Sequence, residues 1–112
     1  MSTIKNYTDI EQSKVLVKML PIESADMWYE DCGLMIPRLG HIPKEHTNTE
    51  IPCWSLAALF KMLPYSARLE RGSSTELCYV TLPNELESSD WYIEPVDAVF
   101  EMILKLYELK ML

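Results

Sequence analysis

Between positions 96 and 107 apolar residues recur every three or four places: Val96, Val99, Phe100, Ile103, Leu106 and Tyr107. That spacing stacks side chains on one face of an α-helix. Pro95 suits the first turn, where the N–H it lacks would have had no intrahelical partner. The pattern predicts a helix over residues 95–110, and a helix with such a stripe must bury it against a second layer. Met102 and Leu109 widen the stripe on one side, whereas Leu104, Met111 and Leu112 fall outside it. Two accounts of the extra width stand side by side. The helix is wedged between a sheet and another helix, or its spare face, with Met102 and Leu109, meets a second copy of the chain.

The layers that this helix needs are sought upstream. Thr8-Asp9-Ile10-Glu11 has the form of a capping box, and Ile10, Val15, Leu16, Met19 and Leu20 follow at helical spacing until Pro21. A first helix is expected over residues 9–19. Ser24 offers a second N-cap, so residues 24–30 suit either a short helical turn or an extended run over 27–30. Residues 31–52 hold Gly33, Gly40, Pro37, Pro43, Pro52, His41 and His46 and show no sustained period. We expect an irregular, partly docked loop there, with a short strand at 34–37; connections this long usually carry function or move. Residues 54–63 read as the second helix, capped by Ser55 and ended by Pro64. Residues 67–70 and 77–82 flank Arg71-Gly72-Ser73-Ser74 as a β-hairpin. In its second strand both faces are largely apolar, which suggests a central strand; residues 91–94 are a third strand candidate. The fold class is α+β: one domain over residues 1–112, about three helices packed on a short antiparallel sheet that includes the hairpin.

Charge narrows the function. The chain has 17 acidic residues against 10 Lys and Arg, a formal net charge of −7. Such a surface repels phosphate, so direct nucleic-acid binding through a general basic field is not expected. No run approaches the eighteen or so apolar residues of a membrane span, and residues 1–8 lack the charged-then-apolar order of a signal peptide. The expected setting is the cytoplasm, away from membranes. From Gly72 to Leu104 there is no Lys or Arg, while Glu76, Glu85, Glu87, Asp90, Glu94, Asp97 and Glu101 carry seven negative charges. A solvated acidic face is the simplest account. A docking surface for a basic protein partner is the sharper one, with Glu85, Glu87, Asp90, Glu94 and Asp97 beside Trp91 and Tyr92 as its contacts.

Chemistry has few anchors. Cys32, Cys53 and Cys78 form no CxxC pair and are odd in number, which suits reduced, buried thiols. Cys53 lies just before the second helix, where backbone N–H groups favour a thiolate, and His41 or His46 would be its base. Cys32, His41, His46 and Cys53 run as C-x8-H-x4-H-x6-C, ligand types that suit zinc at a spacing that preorganises the site poorly. No glycine-rich phosphate loop, GxSxG or HExxH motif occurs, and no cofactor is expected.

Several blocks carry a resemblance: Ser24-Ala25-Asp26-Met27; Ile51-Pro52-Cys53-Trp54-Ser55-Leu56-Ala57-Ala58-Leu59; Pro95-Val96-Asp97-Ala98; and Glu101-Met102-Ile103. Together they resemble a group of short proteins from prophage and mobile-element regions of Bacteroidales. The Pro-x-Trp-Ser-Leu-Ala-Ala-Leu block is the most specific part. No activity, cofactor or catalytic residue is assigned to that group, so no site residue carries over. The resemblance implies a small accessory protein in a bacterial or phage setting. The leading expectation is therefore a non-enzymatic interaction protein, with self-association through the last helix left open as one of the two accounts of that helix; a cysteine- or metal-dependent hydrolase built on Cys53 with His41 or His46 is the alternative.

Overall fold

A computed structural model describes residues 5–31, 35–40, 50–64, 67–72, 77–82 and 89–110. Among these residues three α-helices (α1, Ile10–Leu16; α2, Leu56–Phe60; α3, Pro95–Glu108) combine with five strands: β1 (Met27–Asp31), β2 (Met35–Leu39), β3 (Ile51–Cys53), β4 (Arg68–Arg71) and β5 (Cys78–Thr81). The strands form two antiparallel sheets, β2-β1-β3 and β4-β5. The α+β class, the three helices and the hairpin agree with the sequence reading. The three-stranded sheet was not expected.

It arises largely from the stretch read as an irregular loop. Met27 pairs with both Leu39 and Cys53, so β1 is the middle strand. Pro37 lies in β2 and Pro52 in β3, the two edge strands, where a residue without an N–H is tolerated. The prolines that hide the strand signal in the sequence therefore mark edges. Of the two readings of residues 24–30 the extended run is the one observed, as β1; the 3-10 turn lies earlier, at Ile22–Ser24, with Pro21 and not Ser24 at its N-cap. Gly40 then leaves β2 at φ +98°, a left-handed conformation that other residues resist. Its N–H donates to the Asp26 carbonyl at 2.8 Å.

Three boundaries are corrected. Helix α1 is capped by Asp9, not Thr8. The Asp9 carboxylate accepts from the Gln12 N–H at 2.7 Å and the Gln12 side chain returns the bond to the Asp9 N–H at 3.1 Å. Thr8 is drawn inward instead, where it is fully buried. Helix α2 is shorter than its apolar pattern, although Ser55 caps it as expected: Ser55 Oγ accepts from the Ala58 N–H at 3.2 Å and donates to Asp26 Oδ2. Residues 91–94 form no strand; Tyr92 alone makes a bridge to Cys78.

The main core gathers Leu16, Leu20, Trp54, Leu59, Val80, Val99, Ile103 and Leu106 around α3, which packs on β5 and α2. The wedged account of the wide stripe is thus the one observed. A second cluster, Met27, Tyr29 and Cys53 with Tyr7, Ile10 and Ile51 against it, joins α1 to the three-stranded sheet. The molecule measures 44 × 38 × 18 Å, so its short axis holds about two layers at a spacing of ~10 Å. A slab this thin leaves much of its periphery as element edges.

Candidate protein-binding edge

Strand β5 has both of its edges satisfied. On one side Cys78 and Tyr92 exchange N–H···O=C bonds at 2.7 and 2.8 Å. The Ser89 N–H donates to the Val80 carbonyl at 2.8 Å, and the Val80 N–H to Ser89 Oγ at 2.9 Å. Backbone groups of Cys78 and Val80 therefore point away from β4, and those of Tyr79 and Thr81 point towards it. Tyr79 is paired with Glu70 and Thr81 with Arg68. Alternation along β4 then turns the N–H and C=O groups of Leu69 and Arg71 outward. Among the described residues nothing pairs with them.

Beside this open edge runs an apolar groove of about 750 Å³, lined by Leu56, Ala57 and Phe60 of α2 and by residues 67–70. Leu69 packs inward against the main core, while Arg68 and Glu70 stand on the outer face, 3.9 Å apart. Tyr79 shares that face as the cross-strand partner of Glu70, and Trp91 lies against it with ring centroids 4.4 Å apart. Trp91 keeps half its surface exposed and Ile93 two thirds. An open backbone edge, an apolar trough and a half-exposed aromatic pair thus share the β4-β5 end of the molecule. Chemically this end suits an extended polypeptide better than a small substrate, since main-chain bonding comes with side-chain pockets alongside.

Acids of the expected docking segment also make bonds within the chain. Glu94 accepts from the Lys5 N–H at 2.9 Å. Asp97 accepts from Lys5 Nζ at 2.7 Å and from Gln12 Nε2 at 2.8 Å. Glu101 accepts from the Asp90 N–H at 2.7 Å. Three of the acids of α3 and its cap therefore hold the N-terminal segment and the 89–92 segment in place. Burial of the Lys5 ammonium works to lower its pKa, yet the bonds to Asp97 and Asp9 outweigh it and the net direction is up. Of the expected contacts, Asp90 and Trp91 are exposed and Tyr92 is half-buried against the core, while Glu85 and Glu87 lie outside the described residues.

Met102 is corrected outright. It is fully buried in the main core, because the stripe of α3 is centred on Val99, Met102, Ile103 and Leu106 rather than on Tyr107. Leu109 and Tyr107 are the exposed apolar residues near the end of the helix.

Cys53 ends β3 and is sealed from solvent. Its thiol donates to the Thr8 carbonyl at 3.4 Å, and Thr8 Oγ1 lies 3.6 Å from Sγ. Burial pushes the thiol above its ordinary pKa, against the pull of hydrogen bonds from Thr8, Tyr29 and Ser13. A nucleophile needs exposure and a lowered pKa, and Cys53 has neither. Cys32, His41 and His46 lie outside the described residues, and among those described no three His, Cys, Asp or Glu side chains are grouped as metal ligands. No described helix is long and apolar enough to cross a membrane.

Comparison with protein-family models, curated proteins and solved structures gives no match for this chain. The β4 edge was not singled out in the sequence. A signal was there: Arg68 and Arg71 are two of only three arginines, set within four residues of an acid-rich chain.

Proposed function

We propose that the protein is a non-enzymatic interaction module that binds an extended polypeptide segment along the outer edge of β4. Such a role fits the accessory protein of a mobile element that the sequence resemblance implies. The observation that carries this reading is the pair of outward-facing backbone units at Leu69 and Arg71 beside the α2–β4 groove. A strand laid there gains main-chain hydrogen bonds, and its alternate side chains enter the trough. Taken as a block ~13 Å long, ~4.8 Å wide and ~10 Å deep, four extended residues occupy ~600 Å³. The groove has room for about that length.

The test is peptide display against the immobilised protein, with Arg71→Pro as counter-selection. Proline at this position deletes one outward N–H and leaves the β4–β5 bonds in place, as edge strands permit. Peptides enriched on the parent and lost on the variant support the reading. Absence of enrichment, or equal enrichment on both, overturns it.

A further inference from the structure

We propose that the segment bound along the β4 edge is β4 of a second copy of this chain, joined antiparallel about a two-fold axis at Leu69. The proposal rests on the reading of β4 as a binding edge and names its occupant. Charged side chains ordinarily guard an edge strand against pairing. Here their order does the reverse for one register.

Outward backbone groups sit on Leu69 and Arg71, so two copies can pair only in registers that set odd-numbered positions opposite each other. Three such registers use most of the strand. One sets Arg68 opposite its own copy, and another sets Glu70 opposite its own copy. Both place like charges across a non-hydrogen-bonded pair, where Cα atoms are only about 4.5 Å apart and repulsion is felt directly. The third places Leu69 opposite Leu69, and then each Arg68 faces the other copy's Glu70. Two cross-strand ion pairs form per interface. The two Leu69 residues exchange their N–H···O=C bonds, and each Arg71 N–H meets the stretch around Ala67 of the other copy.

Arg68 is free to join such a pair, because its side chain is 76% exposed and its contact with Glu70 in the same strand is long, at 3.9 Å. The resulting sheet is four-stranded, β5-β4-β4-β5, with no open edge at its centre. This contact is isologous, so it closes on two copies and does not propagate. It also lies apart from α3, where self-association was expected from the sequence.

Charge exchange tests the register itself. Arg68→Glu sets Glu opposite Glu, and Glu70→Arg sets Arg opposite Arg, so each variant alone should associate about tenfold or more weakly than the parent. Mixed in equal amounts, the two variants place Glu opposite Arg at both positions and should dimerise again. Both positions are at the surface, and circular dichroism of each variant checks that the fold persists. The measurement is sedimentation equilibrium over a concentration series for the parent, each variant and the mixture. Recovery of the dimer only in the mixture is the expected result. A parent that stays monomeric throughout, or a dimer indifferent to either variant, overturns the proposal. Peptide selection that still depends on Arg71 would then show that the edge binds a foreign strand; loss of that dependence as well would overturn both readings.

Discussion

Thr8 shows how one buried hydroxyl organises several elements. Its Oγ1 accepts from the Trp54 N–H at 3.2 Å and shares a 2.8 Å hydrogen bond with Ser13 Oγ, while its carbonyl accepts from Tyr29 Oη at 2.7 Å. Thr8→Val keeps the shape, leaves the Trp54 N–H without its acceptor and removes the bond to the Ser13 hydroxyl. Such losses cost about 1–3 kcal/mol each, so the variant should unfold at lower urea with an unchanged slope. Beside it, Cys53 and Tyr29 both have their pKa raised chiefly by burial. A raised folded-state pKa favours folding while the group stays protonated, and that stability is lost as pH rises past the unfolded value. The ordinary values are 9.0 for Cys53 and 10.0 for Tyr29, and Lys5, raised from 10.5, acts in the same direction. These groups should add almost no pH dependence to the thermal midpoint from neutrality to about pH 8, and should lower it progressively above that. Alkylation at pH 8 followed by peptide mapping should find Cys53 and Cys78 unmodified in the native protein and labelled in denaturant.

At the scale of elements, caps and faces decide what each segment does. Asp9→Ala removes the cap of α1 and should cost about 1 kcal/mol, whereas Glu11→Ala should be nearly neutral, since the reciprocal cap bond comes from Gln12. On α3, Met102→Ala should cost about 2–5 kcal/mol and Leu109→Ala close to nothing, as burial of the first and exposure of the second require. Helix α3 and the hairpin were legible in the sequence because both are local: a stripe at helical spacing behind Pro95, and two apolar runs around Gly72. The three-stranded sheet was not legible, because β1 joins β3 across nineteen intervening residues and both edge strands contain proline. The Thr8–Glu11 box was misplaced by one residue, since the sequence cannot reveal that Thr8 is claimed by Trp54 and Ser13. Acidity was legible as a total, but its use was not. Asp97 and Glu94 face Lys5, some ninety residues away in sequence, and only the fold brings them together.

For the molecule as a whole, thinness links fold to function. With a short axis of 18 Å, the chain builds a core around α3 yet leaves the outer edge of β4 unpaired among the described residues. The N-terminal segment, by contrast, is stitched to the chain: the Thr8 N–H donates to the Trp54 carbonyl and the Leu56 N–H to the Asn6 carbonyl, each at 2.9 Å. Amide hydrogen exchange along β4, at low and high protein concentration, tests this account most directly. In dilute solution Arg68 and Glu70, bonded to β5, should exchange slowly, and Leu69 and Arg71 rapidly. At high concentration Leu69 and Arg71 should become protected as a second strand covers them. Protection of Leu69 and Arg71 that is already complete in dilute solution, or rapid exchange at every concentration, would contradict the account.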